Sequence, residues 1–166
     1  MNSTAFHSTD ILIAKNSIDM YRWSVIACDQ YTSEPDYWDE VYSIVGNAPS
    51  SLNLILPELY LEGDDIESRI EKIHNTMSEY LSNNIFDEYK DAMIYVERIQ
   101  NNGILRQGIV GAIDLEKYDF SKGSSSEVRA TEATVIERIP PRVKVRQGAD
   151  LELPHIMILI DDPKFS

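Results

Sequence analysis

The sequence predicts an α+β fold, a mixed or antiparallel sheet that carries a hairpin and is packed by two or more helices. Three observations lead there. Gln100-Asn101-Asn102-Gly103 separates two apolar runs, 92–98 and 105–115, and Asn-Gly between such runs is the strongest short-range hairpin signal. Ile66, Ile70, Ile73, Met77, Tyr80 and Leu81 recur at helical spacing across 64–83, with Asp64, Asp65 and Glu67 in the first turn, where the helix dipole favours acids. Four more apolar runs, 10–14, 23–28, 51–56 and 155–160, are short and bounded by polar or turn residues, and so read as strands.

Taken in order, 10–14 is a strand or a buried extended segment and 23–28 a clearer strand, ending in the polar loop Asp29-Gln30-Tyr31-Thr32-Ser33. Ser33 then caps a helix with Pro35 in its first turn. Tyr37, Trp38, Val41, Tyr42 and Val45 form its apolar face, and Gly46-Asn47 ends it. Strand, loop and helix in that order often hold a ligand in α/β proteins, although no Gly-rich turn accompanies them. The 51–56 strand stops at Pro57, and Gly108 and Gly111 in the second hairpin strand imply a bulge or a close backbone approach. His74 reads as a helix-surface residue, because no histidine or acid stands at metal-binding spacing from it. The run 155–160 must be a buried strand, and no helix follows to cover the new sheet surface. Residues 1–166 therefore read as one α+β domain that is incomplete at its C-terminal end.

Composition narrows the setting. A chain of 166 residues with 43% hydrophobic residues has enough length and apolar content for a real core. No apolar run nears the roughly 20 residues that cross a bilayer, and the first seven residues carry neither a basic residue nor a following apolar stretch. One cysteine, Cys28, fits a reducing cytoplasm, and one cysteine with three histidines argues against structural zinc. A net charge of −13 excludes nucleic acid and anionic membranes as partners. That charge is uneven. Up to residue 128 there are 22 acids against nine Lys and Arg, whereas 129–146 holds Arg129, Arg138, Arg142, Lys144 and Arg146 against Glu132 and Glu137. A basic segment in an acidic chain can hold a small anion, or it can be tied to the acidic body by internal ion pairs.

Several stretches together resemble a prokaryotic family, DUF1015, a domain of unknown function. They are Asp29-Gln30-Tyr31-Thr32-Ser33 with Pro35 and Tyr37-Trp38; Leu56-Pro57-Glu58; Gly108 to Asp114; and Tyr118-Asp119-Phe120-Ser121-Lys122-Gly123. Arg129-Ala130-Thr131-Glu132, Glu137 to Arg142, Leu153-Pro154-His155 and Asp161-Asp162-Pro163 complete the set. The one departure is Ala133, where the family pattern has glycine. The resemblance implies that this chain is the N-terminal part of a longer protein. It also implies that the remainder carries a Gly-(His/Asn)-His box similar to the nucleotide-binding box of chromosome-partitioning proteins, sulfiredoxin and free serine kinase. No such box occurs in residues 1–166.

Four groups of residues have chemistry to offer. The first joins Arg129-Ala130-Thr131-Glu132 with Arg138 and Arg142. Arg129, Thr131 and Arg142 supply the guanidinium forks and hydroxyl that a phosphate needs, with Glu132 as a base or as an orienting acid. The alternative makes Thr131 or Thr134 a helix cap and the arginines surface pairs. Asp29 and Gln30 leave a strand into a loop, Asp29 as a second candidate acid and Gln30 as a ligand contact. Cys28 beside them reads as a small buried residue, since Asp29 would raise a thiol pKa. Asp161-Asp162-Pro163 offers paired acids for Mg²⁺ but fits a proline-capped turn better, so no metal site is assigned. Lys122-Gly123-Ser124-Ser125 lacks the spacing of a phosphate-binding loop.

The leading expectation is a small-molecule enzyme fragment, kinase-like or binding a nucleotide or phosphorylated metabolite, with a nucleotide and Mg²⁺ as the cofactors to test. The alternative is a non-catalytic binding or assembly module with a structural arginine cluster, forming homo-oligomers through an open sheet edge.

Overall fold

The computed structural model describes residues 4–131, 135–153 and 155–160. They gather into two compact units, one from the described residues within 1–15 and 86–135 and the other from those within 16–85 and 136–166. Among the described residues every strand falls in the first unit and every α-helix in the second, so the chain is α+β with its two kinds of structure segregated.

The strand unit is a set of two-stranded pairs. β1 (Phe6–His7) pairs antiparallel with β6 (Ala112–Ile113), and β2 (Thr9–Ala14) with β3 (Phe86–Ala92) through a bulge between Thr9 and Ile11. β4 (Ile94–Ile99) and β5 (Leu105–Val110) form the expected hairpin, and β7 (Tyr118–Asp119) runs parallel to β8 (Val128–Arg129). The Asn-Gly turn works as its chemistry requires. Gly103 sits at φ +82°, Gln100 N donates to the Ile104 carbonyl at 2.9 Å, and the Asn102 side chain accepts from Ile104 N at 3.1 Å. The expected continuous strand to residue 115 breaks at Gly111. A Cβ there would lie 2.7 Å from the His7 carbonyl oxygen and 2.7 Å from the Phe6 ring, so the glycine permits β1 to close on the chain.

The helical unit holds α1 (Met20–Trp23), α2 (Pro35–Val45), α3 (Ile66–Ser82) and α4 (Ile139–Arg146). α3 follows its apolar stripe, burying Ile70, Ile73, Met77 and Tyr80. α2 starts at Pro35 as expected, but Glu34 and not Ser33 takes the cap position, and no side chain bonds to the free N–H groups there. Its end is Gly46, at φ +55°, whose N–H reaches the Tyr42 carbonyl at 2.9 Å. Trp38, Val45 and Leu52 centre the core, with Val25, Tyr37, Val41 and Leu59 packed around them.

Three expected strands are not strands. Residues 51–54 form a 3-10 turn capped by the Ser50 hydroxyl, which accepts from Leu52 N at 3.2 Å. Leu52, Leu54, Ile55 and Leu56 are all buried, so the run is a buried turn and lacks the two-sided alternation of a strand. Within 23–28, Trp23 closes α1 and residues 24–27 run on without a ladder partner. There the Trp23 carbonyl accepts from Ser51 Oγ at 2.6 Å. Residues 155–160 have no assigned strand, and Ile156, Met157, Leu159 and Ile160 are 72–83% exposed, because no ladder partner stands beside them among the described residues. His74 is half-buried on α3, and its Nε2 lies 2.8 Å from the Val145 carbonyl, joining α3 to the end of α4.

No helix among the described residues is long and apolar enough to cross a membrane.

Candidate functional site

Pro57 is buried and directs the chain into a 3-10 turn, Glu58–Tyr60. Glu58 is thereby drawn inward, and its side chain is only 6% exposed. A buried carboxylate needs a counter-charge. It finds two. Arg138 Nη1 donates to Glu58 Oε2 at 3.3 Å, and the Arg142 guanidinium donates to Glu58 Oε1. Arg138 occupies the cap position of α4 and Arg142 stands four residues on, so one helix face presents both. Their side chains stay 55% and 42% exposed. One buried acid thus holds two guanidinium groups that still face solvent.

The 28–33 loop adjoins this cluster. Glu58 N donates to the Cys28 carbonyl at 2.8 Å, fixing the loop to the turn. Tyr31 adopts φ +50° and stacks on Tyr37 with ring centres 4.0 Å apart, while its carbonyl accepts from Trp38 Nε1 at 3.1 Å. A non-glycine residue at positive φ needs such support. Asp29 and Gln30 project from this loop into solvent, with Gln30 Nε2 donating to Asp29 Oδ1 at 3.2 Å. Burial raises the Cys28 thiol pKa, and the negative charges of Asp29 and Glu58 add to it against the opposing pull of Arg142. Cys28 is therefore a thiol at neutral pH and a poor nucleophile.

Of the residues that the sequence singled out, Asp29, Gln30 and Arg142 share the helical unit, and Arg142 is tied through Glu58 to the loop that bears the other two. Arg129 lies in β8 and Thr131 just beyond it, both exposed and both in the strand unit. Glu132, Thr134 and the Asp161-Asp162-Pro163 acids lie outside the described residues. The other basic residues of the segment pair with acids, Lys144 with Glu67 and Arg146 with Glu152. Among the described residues no three His, Cys, Asp or Glu side chains converge as a metal site requires.

Glu58 is the member of the cluster that the sequence did not single out, whereas Arg138 groups with Arg129 and Arg142 from the sequence alone. Both stand in stretches that carry the family resemblance, Leu56-Pro57-Glu58 and Glu137 to Arg142. An acid directly after a buried Leu-Pro pair was the available signal.

A family model described as "Protein of unknown function (DUF1015)" matches residues 12–166, and the chain belongs to that family. No curated protein and no solved structure matches it.

Proposed function

We propose that this DUF1015 member binds an anionic small molecule, a nucleotide or a phosphorylated metabolite, at the Glu58–Arg138–Arg142 cluster and the loop beside it. One observation carries the reading: a carboxylate 6% exposed holds two guanidinium groups that remain 55% and 42% exposed. Within the three-residue cluster Glu58 cancels one charge of two, leaving +1 before the Asp29 carboxylate of the loop is counted, on a chain of net −13. Each guanidinium keeps N–H donors that Glu58 does not use, and its bond to Glu58 brings it to the site before a ligand arrives, which lowers the ordering cost of binding. Gln30 adds an amide at the loop, and Asp29 is the acid of that loop available for a kinase-like proton transfer. The single cysteine and the lack of a membrane-spanning helix among the described residues support a cytoplasmic setting.

Calorimetric titration with adenosine triphosphate, pyrophosphate and a sugar phosphate tests this. At least one should saturate, and Arg142→Lys should weaken it about tenfold, because lysine keeps the charge but loses the fork. No saturable binding by any of the three, or equal affinity in the variant, refutes the site.

A second reading, an assembly module, is favoured by the apolar run 155–160. Four of its residues are at least 72% exposed, and soluble monomers rarely expose so contiguous an apolar stretch. Sedimentation should then show concentration-dependent association that Leu159→Asp reduces.

A further inference from the structure

The β4–β5 register sets Arg98 directly opposite Arg106. Directly opposed residues share one face of the ladder, with Cβ atoms about 4.5–5.5 Å apart, and like charges so placed destabilise it. Both arginines are exposed, and among the described residues neither has an acidic partner. The hairpin's one acid, Glu97, is on the opposite face, where it accepts from Tyr95 Oη at 2.8 Å and from Gln107 Nε2 at 3.3 Å. Elsewhere in the chain Arg22, Arg69, Lys90, Lys117, Arg138, Arg142, Lys144 and Arg146 pair with acids. A chain with 28 acids had ample means to neutralise Arg98 and Arg106 in the same way.

Two positions further along the same face, Gly108 stands opposite Val96. A Cβ built on Gly108 meets nothing within 4 Å, so an open notch floored by backbone lies beside the arginine pair. Val96 is 42% exposed at its rim, and half-buried Ile94 and Val110 continue the strip. On the turn side, Arg98 also lines an open recess of about 320 Å³ with Ile99, Gln100, Asn101 and Asn102. The face therefore runs from a double cation to an apolar notch within two strand steps, roughly 7 Å.

We propose that this face is a binding site for a phosphate monoester with an apolar body, the phosphate between Arg98 and Arg106 and the body over Gly108. A phosphate has enough oxygens for both guanidinium forks, and it turns a repulsive pair into an attractive triad. The site is independent of the Glu58 cluster, and each can fail without the other.

An NMR titration of the whole chain tests it with three probes: inorganic phosphate, phenyl phosphate, and chloride at matched ionic strength. Saturable shifts of Gly108 and of both arginine side chains are expected with both phosphates, phenyl phosphate binding about tenfold more tightly through its buried ring. Arg98→Gln or Arg106→Gln should weaken both ligands about tenfold or more, because a charge-assisted bond is lost, with the Val96–Gly108 cross-strand contact intact. Gly108→Val should remove the advantage of phenyl phosphate and leave inorganic phosphate unchanged. Equal shifts with chloride, or unaltered affinity in both arginine variants with the hairpin intact, overturns the proposal. Equal affinity for the two phosphates overturns the apolar part of it.

Discussion

The two units of this chain are held by different forces. The helical unit buries Trp38 completely and leaves Leu52, Leu54 and Met77 only 1% exposed. Among the described hydrophobic residues the strand unit buries only Ala5 and Ile11, while Tyr95, Ile99, Ile104 and Ile109 are each more than half exposed. Its order comes from ladder hydrogen bonds in pairs of strands, and an isolated two-stranded hairpin is marginal in water. The helical unit has the packed interior that makes a unit stable by itself. The strand unit has the ladders but little of the burial that usually supports them.

The sharpest way to break this comparison is to remove the largest core side chain of each unit. Trp38→Ala should cost about 3–5 kcal/mol, because it deletes a fully buried ring and leaves a cavity. Ile11→Ala deletes a smaller side chain among partly exposed neighbours and should cost about 2–3 kcal/mol. Urea unfolding measures both, and an Ile11 variant as damaged as the Trp38 variant would show a strand-unit core that its exposures do not reveal.

Glu58→Gln should have the next largest effect. It keeps the shape of the side chain and leaves two guanidinium groups against a neutral amide. Because both arginines are about half exposed, water recovers part of the loss, and about 1–2 kcal/mol is expected. The double change Glu58→Gln with Arg142→Met should recover some of it. A single variant as stable as the parent would reduce the cluster to surface charges.

These two tests also mark where the sequence could be read and where it could not. α3 and the hairpin were legible because each carries its own signal, a 3.6-residue stripe in one and an Asn-Gly turn between apolar runs in the other. Residues 51–56 and 155–160 were not. A short apolar run says that its side chains avoid water, but whether it becomes a strand depends on a partner that local pattern does not name. In 51–54 the Ser50 cap closed a turn, and beside 155–160 no partner stands among the described residues. The site behaved alike. The basic segment announced itself by composition, but the acid that anchors it lies 84 residues from Arg142 along the chain, and no spacing rule spans that distance.

A smaller effect separates the units at alkaline pH. Burial raises the Cys28 pKa above its ordinary 9.0 and, with the neighbouring Tyr60, the Tyr42 pKa above 10.0. A folded pKa above the unfolded one means stability that is present below the unfolded value and lost as pH rises through the folded value. The helical unit should therefore weaken from about pH 9 upward, and Cys28→Ala should flatten the first part of that decline. Tyr95 of the strand unit is also raised, by its hydrogen bond to Glu97, but it is exposed and should contribute less. Stability measured from pH 8 to 11 checks the order, and an unchanged slope in the Cys28 variant would remove the thiol from the account.

The smallest effect lies on the acid side and in the strand unit. The Asp10 carboxylate accepts from Lys90 Nζ at 2.8 Å and from Asp91 N at 3.3 Å, and these bonds, Lys90 first, hold its pKa below the ordinary 3.8. Asp119 is likewise lowered, chiefly by the Ser121 N–H at 2.8 Å. A folded pKa below the unfolded one means stability that is present above about pH 3.8 and lost as pH falls through the folded value. Asp10 ties β2 to β3, the strand pair that carries Ile11, so its protonation should loosen the unit with the least burial to spare. Both carboxylates are exposed, and salt should shrink the effect, as it shrinks any surface pair. Asp10→Asn should flatten stability between pH 2 and 4 at low salt and change little at high salt, with the amides of β2 and β3 as the reporters. Were α3 amides to respond to the substitution as strongly as β2, the acid sensitivity would belong to the whole chain, and the contrast between a packed unit and a laddered one would fail.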